Sequence, residues 1–321
     1  MKKELKLTLT VVVLSAIALM LIEKFILSKT YVMPVMSERT KIFNQGSIHE
    51  IKQYLEQPGA SVVMDNYYAL IERNRSDIME LMFKDFNLNP DFNFKYEYAT
   101  PLLGAAKEFK PEIVSVLVKY GATVNYKDPY GVTPLIAASY TTFEHENSAS
   151  LEIIKMLVEA GADINVVAEF GKNAIAGALY LNEDLVRLKY LVDSGGDIYY
   201  IDKDGLNFMF YCNSIDCYEY FLSLGLDINS TTNKGENILQ RSVYAELNIE
   251  KVQRLLELGA NICHKDNSGD TVLEYVERYN LGLHKNSINT GFYKEKVQEN
   301  RNSEFYKFLD QKYHENCLEQ N

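Results

Sequence analysis

The chain has 321 residues, a formal net charge of −11, 23 tyrosines and no tryptophan. Residues 1–30 carry five lysines against two acidic groups, so the remainder holds 28 basic against 42 acidic side chains. A body this acidic argues against nucleic acid and against peripheral binding to anionic lipid, and it complements a basic protein partner.

The first predicted element is apolar. Lys2, Lys3 and Lys6 precede an uncharged run from Leu7 to Ile22, Glu23 and Lys24 interrupt it, and Phe25-Ile26-Leu27 continues it. The uncharged run spans roughly 24 Å as a helix. That is short of a bilayer core of about 30 Å unless the flanking Leu5 and residues 25–27 extend it while Glu23 and Lys24 snorkel. Ala16-Ile17-Ala18 has the small-x-small form of a cleavage site, yet cleavage there leaves Leu19-Met20-Leu21-Ile22 as the new terminus. The reading adopted is an uncleaved anchor over 1–30, in contact with lipid through 7–27. Its flanking lysines place the N-terminus in the cytoplasm and the rest of the chain outside it. A secreted or periplasmic product of signal cleavage is the alternative.

Next come two weakly patterned helices, one after Gly46-Ser47 with Ile48, Ile51 and Leu55, and one carrying Ile78, Leu81 and Met82 before Asn87. From residue 98 the pattern sharpens. Thr100-Pro101-Leu102 and Thr133-Pro134-Leu135 place a capping threonine ahead of proline at the first helical position. Asn173, Asn207, Asn237 and Thr271 hold the same slot. Each short helix precedes a second with a buried stripe, such as Ile153, Ile154, Leu157 and Val158, or Val252, Leu255 and Leu256. Each second helix ends alike: Gly121-Ala122-Thr123-Val124-Asn125, Gly161-Ala162-Asp163-Ile164-Asn165, Gly225-Leu226-Asp227-Ile228-Asn229 and Gly259-Ala260-Asn261-Ile262, with a looser Gly195-Gly196-Asp197-Ile198. These endings recur at a period near 33 residues, the mark of a stacked repeat rather than one globular core. The interval from Gly121 to Gly161 is longer by about seven residues, near Thr142 to Ser148, between the paired helices. Phe305, Tyr306, Phe308 and Leu309 lie at helical spacing within 292–316 and predict a terminal cap.

The four cysteines, Cys212, Cys217, Cys263 and Cys317, allow three pairings, and sequence does not choose among them. Cys212 and Cys217 flank a connection about three residues shorter than its neighbours. A disulfide closing that turn and a pair of small buried hydrophobes are both open readings. The five histidines are scattered without metal spacing, no nucleophile elbow, Walker loop or dinucleotide fingerprint is present, and no cofactor or catalysis is expected.

The run Asp128-Pro129-Tyr130-Gly131-Val132-Thr133-Pro134-Leu135-Ile136-Ala137-Ala138, followed by Gly161-Ala162-Asp163-Ile164-Asn165, resembles the ankyrin repeat. The family's histidine is replaced by Leu103 and Ile136, and Cys212 stands where an inner-helix alanine is usual. The resemblance is strong over about 98–279. It implies an all-α solenoid of about eight helix-turn-helix units with short β-turn tips, over residues 31–291, after the membrane helix of 1–30 and before a capping helix and tail in 292–321. It also implies a binding strip made of turn tips and the inner-helix face. The slots that fall there are Tyr96, Glu97 and Ala99; Tyr130 and Val132; Glu169, Phe170 and Lys172; Lys203, Asp204 and Leu206; and Asn233, Lys234 and Glu236, with Tyr140 and Tyr180 beside them. The aromatic tips either anchor a partner or pack on neighbouring turns. The function implied is non-enzymatic protein binding by a chain that is monomeric when free, in a bacterium whose periplasm would hold the repeats. Two roles follow from it: an immunity protein at the inner membrane that neutralises a secreted antibacterial effector such as a phospholipase, or a scaffold for an envelope complex.

Overall fold

The computed structural model describes residues 42–43, 45–58, 64–91, 100–181, 183–245, 248–278 and 297–318. The apolar segment 7–27 lies outside them, as do Tyr96, Glu97 and Ala99. Among the described residues there is no strand, and no helix is long and apolar enough to cross a membrane.

The chain divides into two compact units, one up to Arg73 and one from Asn74. The first holds α1 (Ile48–Leu55) and α2 (Met64–Glu72). A reciprocal cap starts α1: the Ser47 hydroxyl accepts from the Glu50 amide, and the Glu50 carboxylate accepts from the Ser47 amide at 2.7 Å. Phe43, Ile51, Tyr67, Ala69, Leu70 and Ile71 are its buried apolar side chains among the described residues, and Phe43 meets Tyr54 edge-on at 5.9 Å.

The second unit begins with α3 (Ser76–Phe86). It continues through the pairs α4 (Pro101–Lys107) and α5 (Pro111–Lys119), α6 (Pro134–Ser139) and α7 (Asn147–Glu159), and α8 (Ala174–Leu179) and α9 (Leu185–Asp193). A 3-10 turn, Phe208–Tyr211, then pairs with α10 (Ile215–Ser223), and α11 (Ile238–Ala245) with α12 (Ile249–Glu257). Last come α13 (Val272–Glu277) and α14 (Glu304–Tyr313). The first members of the pairs form one continuous row, each touching the next: α4, α6, α8, the 3-10 turn, α11, α13 and then α14. Ala105, Ala138 and Ala178 are fully buried in this row. Small side chains let the short helices approach closely, and the longer second helices cover them with Ile113, Leu117, Ile153, Leu157, Leu188 and Leu191.

All six predicted caps are made. Thr100, Thr133, Asn173, Asn207, Asn237 and Thr271 each accept a backbone N–H from the adjoining first turn. The second helices have their own caps in Asp184, Ser214 and Asn248. At the other end of α7, Gly161 has φ +88°, and its amide and that of Ala162 return to the carbonyls of Val158 and Leu157. The recurring glycine is thus a left-handed helix terminator.

Two elements differ from expectation. After Asn207 the chain makes only one 3-10 turn. The shortened connection leaves no room for more, because Ser214 already caps α10 and the Tyr218 hydroxyl holds the Cys212 carbonyl at 2.9 Å. The long interval before Gly161 is not wholly loop either: α7 has 13 residues where α5 and α9 have 9, so part of the insertion is wound into helix.

Both cysteine pairs are disulfides, Cys212 with Cys217 and Cys263 with Cys317. The first closes the short connection. The second fastens the end of the terminal cap to the loop before α13, and Asn300, Arg301 and Tyr306 bond to Glu277 at the other end of α13.

Candidate protein-binding fingers

Between one pair of helices and the next, the chain runs out as a finger and returns. Its geometry explains the residues that recur. The asparagine that ends the repeated motif reaches the next finger along the stack. Asn125 Nδ2 donates to the Gly161 carbonyl at 2.9 Å, while its Oδ1 accepts from the Asp163 amide at 2.8 Å. Asn165 holds Gly195 and Asp197 in the same way, and Asn229 holds Gly259 and Asn261. Asp91 serves the first such junction, taking the Thr123 amide and hydroxyl.

The tips are built on an aspartate. Asp128 Oδ1 accepts from the amides of Tyr130 and Val132, Asp202 from Asp204 and Leu206, and Asp266 from Ser268 and Asp270. A short polar side chain that folds back on its own backbone fixes the turn. Thr232 does the same work for Lys234 and Glu236. Neighbouring tips are joined by single backbone bonds, Glu169 to Tyr130, Asn233 to Asp204 and Asn267 to Lys234.

The finger 161–171 departs from this plan. Ala168 replaces the aspartate, and Phe170 at its tip has φ +60°. A bulky residue in the left-handed region is strained, and this one is also 79% exposed. Lys203 on the next tip lies 5.9 Å above its ring. Tyr130, on the preceding tip, is 61% exposed, and Glu169 beside Phe170 is bonded to it at 2.8 Å.

The expected site residues divide accordingly. Tyr130, Glu169, Phe170, Lys172, Lys203, Asp204, Asn233 and Lys234 reach solvent. Tyr140 is half-buried against Ile136, Val166 and Ala168, with Tyr180 at 5.4 Å and the Lys172 ammonium at 5.8 Å from its ring. Burial pushes its phenol up to about 12, partly offset by a bond from the Asn173 backbone. Three slots need correction. Val132 and Leu206 are half-buried and Glu236 is buried, because the residue after each tip glycine returns toward the next inner helix. Glu236 is matched there by the Tyr275 hydroxyl at 3.1 Å and the Arg241 guanidinium at 3.6 Å.

Three further apolar residues on this finger and the next, Val167, Tyr199 and Ile201, are exposed. Tyr199 stands where its neighbours carry the bridging asparagine, and its hydroxyl makes a long bond of 3.5 Å to the Leu224 carbonyl. That loss of asparagine in Gly196-Asp197-Ile198-Tyr199 is the sequence signal that marks it.

Residues 67–168 match the family model described as ankyrin repeats, in three copies. A putative ankyrin repeat protein of Acanthamoeba polyphaga mimivirus is 30% identical over 183 residues, covering 52% of this chain and 55% of that protein. Human ankyrin repeat and SOCS box protein 6 is 30% identical over 123 residues, covering 36% of this chain and 28% of that one. The chain therefore spans about half or less of these relatives. Two solved structures share the fold. The ankyrin repeat domain of Bcl-3 has a TM-score of 0.52 at 21% identity, covering 65% of this chain and 92% of that one. The human ASB11 ankyrin repeat domain has 0.55 at 18% identity, covering 73% and 96%. The family match and the shared fold support an ankyrin-repeat protein, and repeats of this kind are protein-interaction modules.

Proposed function

We propose that the chain is a non-enzymatic capture module that binds a basic protein across the fingers between Tyr130 and Asp204. The observation that carries this reading is Phe170, the most exposed large apolar side chain among the described residues, held on a strained backbone with exposed Tyr130 on the preceding tip, to which the neighbouring Glu169 is bonded. Aromatic side chains kept in water at such expense are typical interface anchors. The net charge of −11 complements a basic partner and speeds its approach.

The compartment belongs to the proposal. Every cysteine is in a disulfide, which suits folding outside a reducing cytoplasm. The apolar run 7–27, with its lysine flank, supplies an inner-membrane anchor with the N-terminus inside and the repeats in the periplasm. A tethered acidic receptor in that position suits an immunity protein that neutralises a secreted effector such as a phospholipase. Two experiments test the reading. A reporter active only in the periplasm, fused after Asn321, should give signal, and the protein should stay with membranes through salt washing. A soluble cytoplasmic product contradicts the anchor. Separately, the paired variant Tyr130→Ala and Phe170→Ala should keep its unfolding midpoint, as surface changes within about 0.5 kcal/mol do, yet lose the protein that co-purifies with the unaltered chain. Full retention of that protein contradicts capture by the fingers.

A further inference from the structure

The loops opposite the fingers, which join the first helix of each pair to the second, form a second built surface. Three consecutive ones are strapped together. Arg187, in the first turn of α9, has no exposed surface and reaches back into the preceding repeat. Its guanidinium donates to the Ser139 carbonyl at 3.0 Å, the Ser150 hydroxyl at 3.1 Å and the Thr141 hydroxyl at 3.0 Å, and Asp184 takes its Nε at 3.0 Å. Glu183 reaches forward, where its carboxylate accepts the amides of Asn213 and Ser214 beside the Cys212–Cys217 disulfide. The Tyr140–Tyr180 ring contact joins the starts of the first two loops.

The strapped loops hold apolar groups in water. Phe143, Leu181 and Val186 are 60%, 61% and 64% exposed. Phe143 stacks on His145 at 5.6 Å, on a loop pinned where the Glu146 carboxylate accepts the amides of Thr142 and Phe143. Leu181 sits at φ +52°, a left-handed conformation that a branched side chain rarely takes, and its side chain gains no burial there. The charge around these residues has one sign. In sequence, the segments 142–147, 181–187 and 213–216 carry Glu144, Glu146, Glu183, Asp184 and Asp216 against Arg187 alone. Arg187 is buried and so offers nothing to a visitor.

We propose that this edge is a second docking surface, for a partner segment that presents basic and aliphatic side chains together, such as a cationic amphipathic helix. The acidic surround meets its cations while Phe143, Leu181 and Val186 meet its apolar stripe. The same carboxylates disfavour an anionic membrane surface as the occupant. This goes beyond the finger site, shares none of its exposed anchors, and is tested separately.

The probe is a fluorescent helical peptide of leucine and lysine, measured by anisotropy on the full chain. A matched leucine–glutamate peptide and a leucine-free lysine peptide serve as controls. The leucine–lysine peptide should bind, and both controls should bind far more weakly. The combined variant Phe143→Ser, Leu181→Gly and Val186→Ser should weaken binding by about tenfold or more, since anchors carry most of an interface. The finger variant Tyr130→Ala with Phe170→Ala should leave it unchanged. Leu181→Gly alone should weaken the peptide without lowering the unfolding midpoint, which separates docking from folding. No binding, equal binding of the glutamate peptide, an unaffected edge variant, or a loss in the finger variant instead would each overturn the proposal.

Discussion

At the residue scale, the repeated motif is a set of bonds between one finger and the next. One position that breaks it is an exposed aromatic. Tyr199 occupies an asparagine slot and forgoes the paired bonds that Asn165 and Asn229 make. Tyr199→Asn should therefore raise stability by up to about 1 kcal/mol, one to two net hydrogen bonds, read from urea unfolding. If the fingers bind as proposed, the same variant should weaken the partner. A stability loss would mean that the tyrosine is structural. Gly161 shows the opposite constraint. No atom beyond its chain neighbours lies within 4 Å of the position a Cβ would take, so its φ of +88° is what resists substitution. Gly161→Val should cost about 1–2 kcal/mol by thermal unfolding, because a β-branched residue is strained there.

At the scale of elements, helix starts were legible because each depends on a local bond between a side chain and a nearby amide. Thr100, Thr133, Asn173, Asn207, Asn237 and Thr271 all cap as their sequence positions imply. The stretch beyond each cap was less legible. The turn after Asn207 is short because of its disulfide and the Ser214 cap, and neither is visible in apolar periodicity. The burial of Val132, Leu206 and Glu236 was also hidden, since a composition rule for tips does not say which slot turns back. Arg187 gave no sequence signal at all: its partners Ser139, Thr141 and Ser150 lie 37 to 48 positions away. Burial works against its charge and Asp184 offsets this in part. Arg187→Ala should cost about 3 kcal/mol or more, because it removes the cation from one Asp184 oxygen and leaves several buried acceptors without their donor. Limited proteolysis should then cut first between residues 142 and 147; cleavage elsewhere, with that loop intact, would show that the strap does not hold it.

At the scale of the molecule, the repeat period revealed the stack, because interfaces between repeats reuse the same side chains. The pairing of Cys263 with Cys317 was beyond its reach. They are 54 residues apart, and the contact exists only once the terminal helix has docked on α13. A loop of that length predicts a stabilisation of about 4 kcal/mol by chain entropy, so Cys263→Ser should lower unfolding free energy by roughly 2–4 kcal/mol. Cys212→Ser, which opens a loop of sequence separation 5, should cost less by the same reasoning. Equal costs would mean that loop-closure entropy does not set what each bond contributes.

The central claim is that the fingers touch a protein, and site-specific photo-crosslinking in cells tests it whatever the partner's identity. A photoreactive phenylalanine replaces Phe170, then Tyr130, and as a control Glu152 on the exposed side of α7. One discrete protein adduct, of the same mass shift and the same identity, is expected from 170 and 130 and none from 152. Absence of adducts from both tips, in cells where a crosslinker at Phe143 or Glu152 does capture a protein, would contradict it.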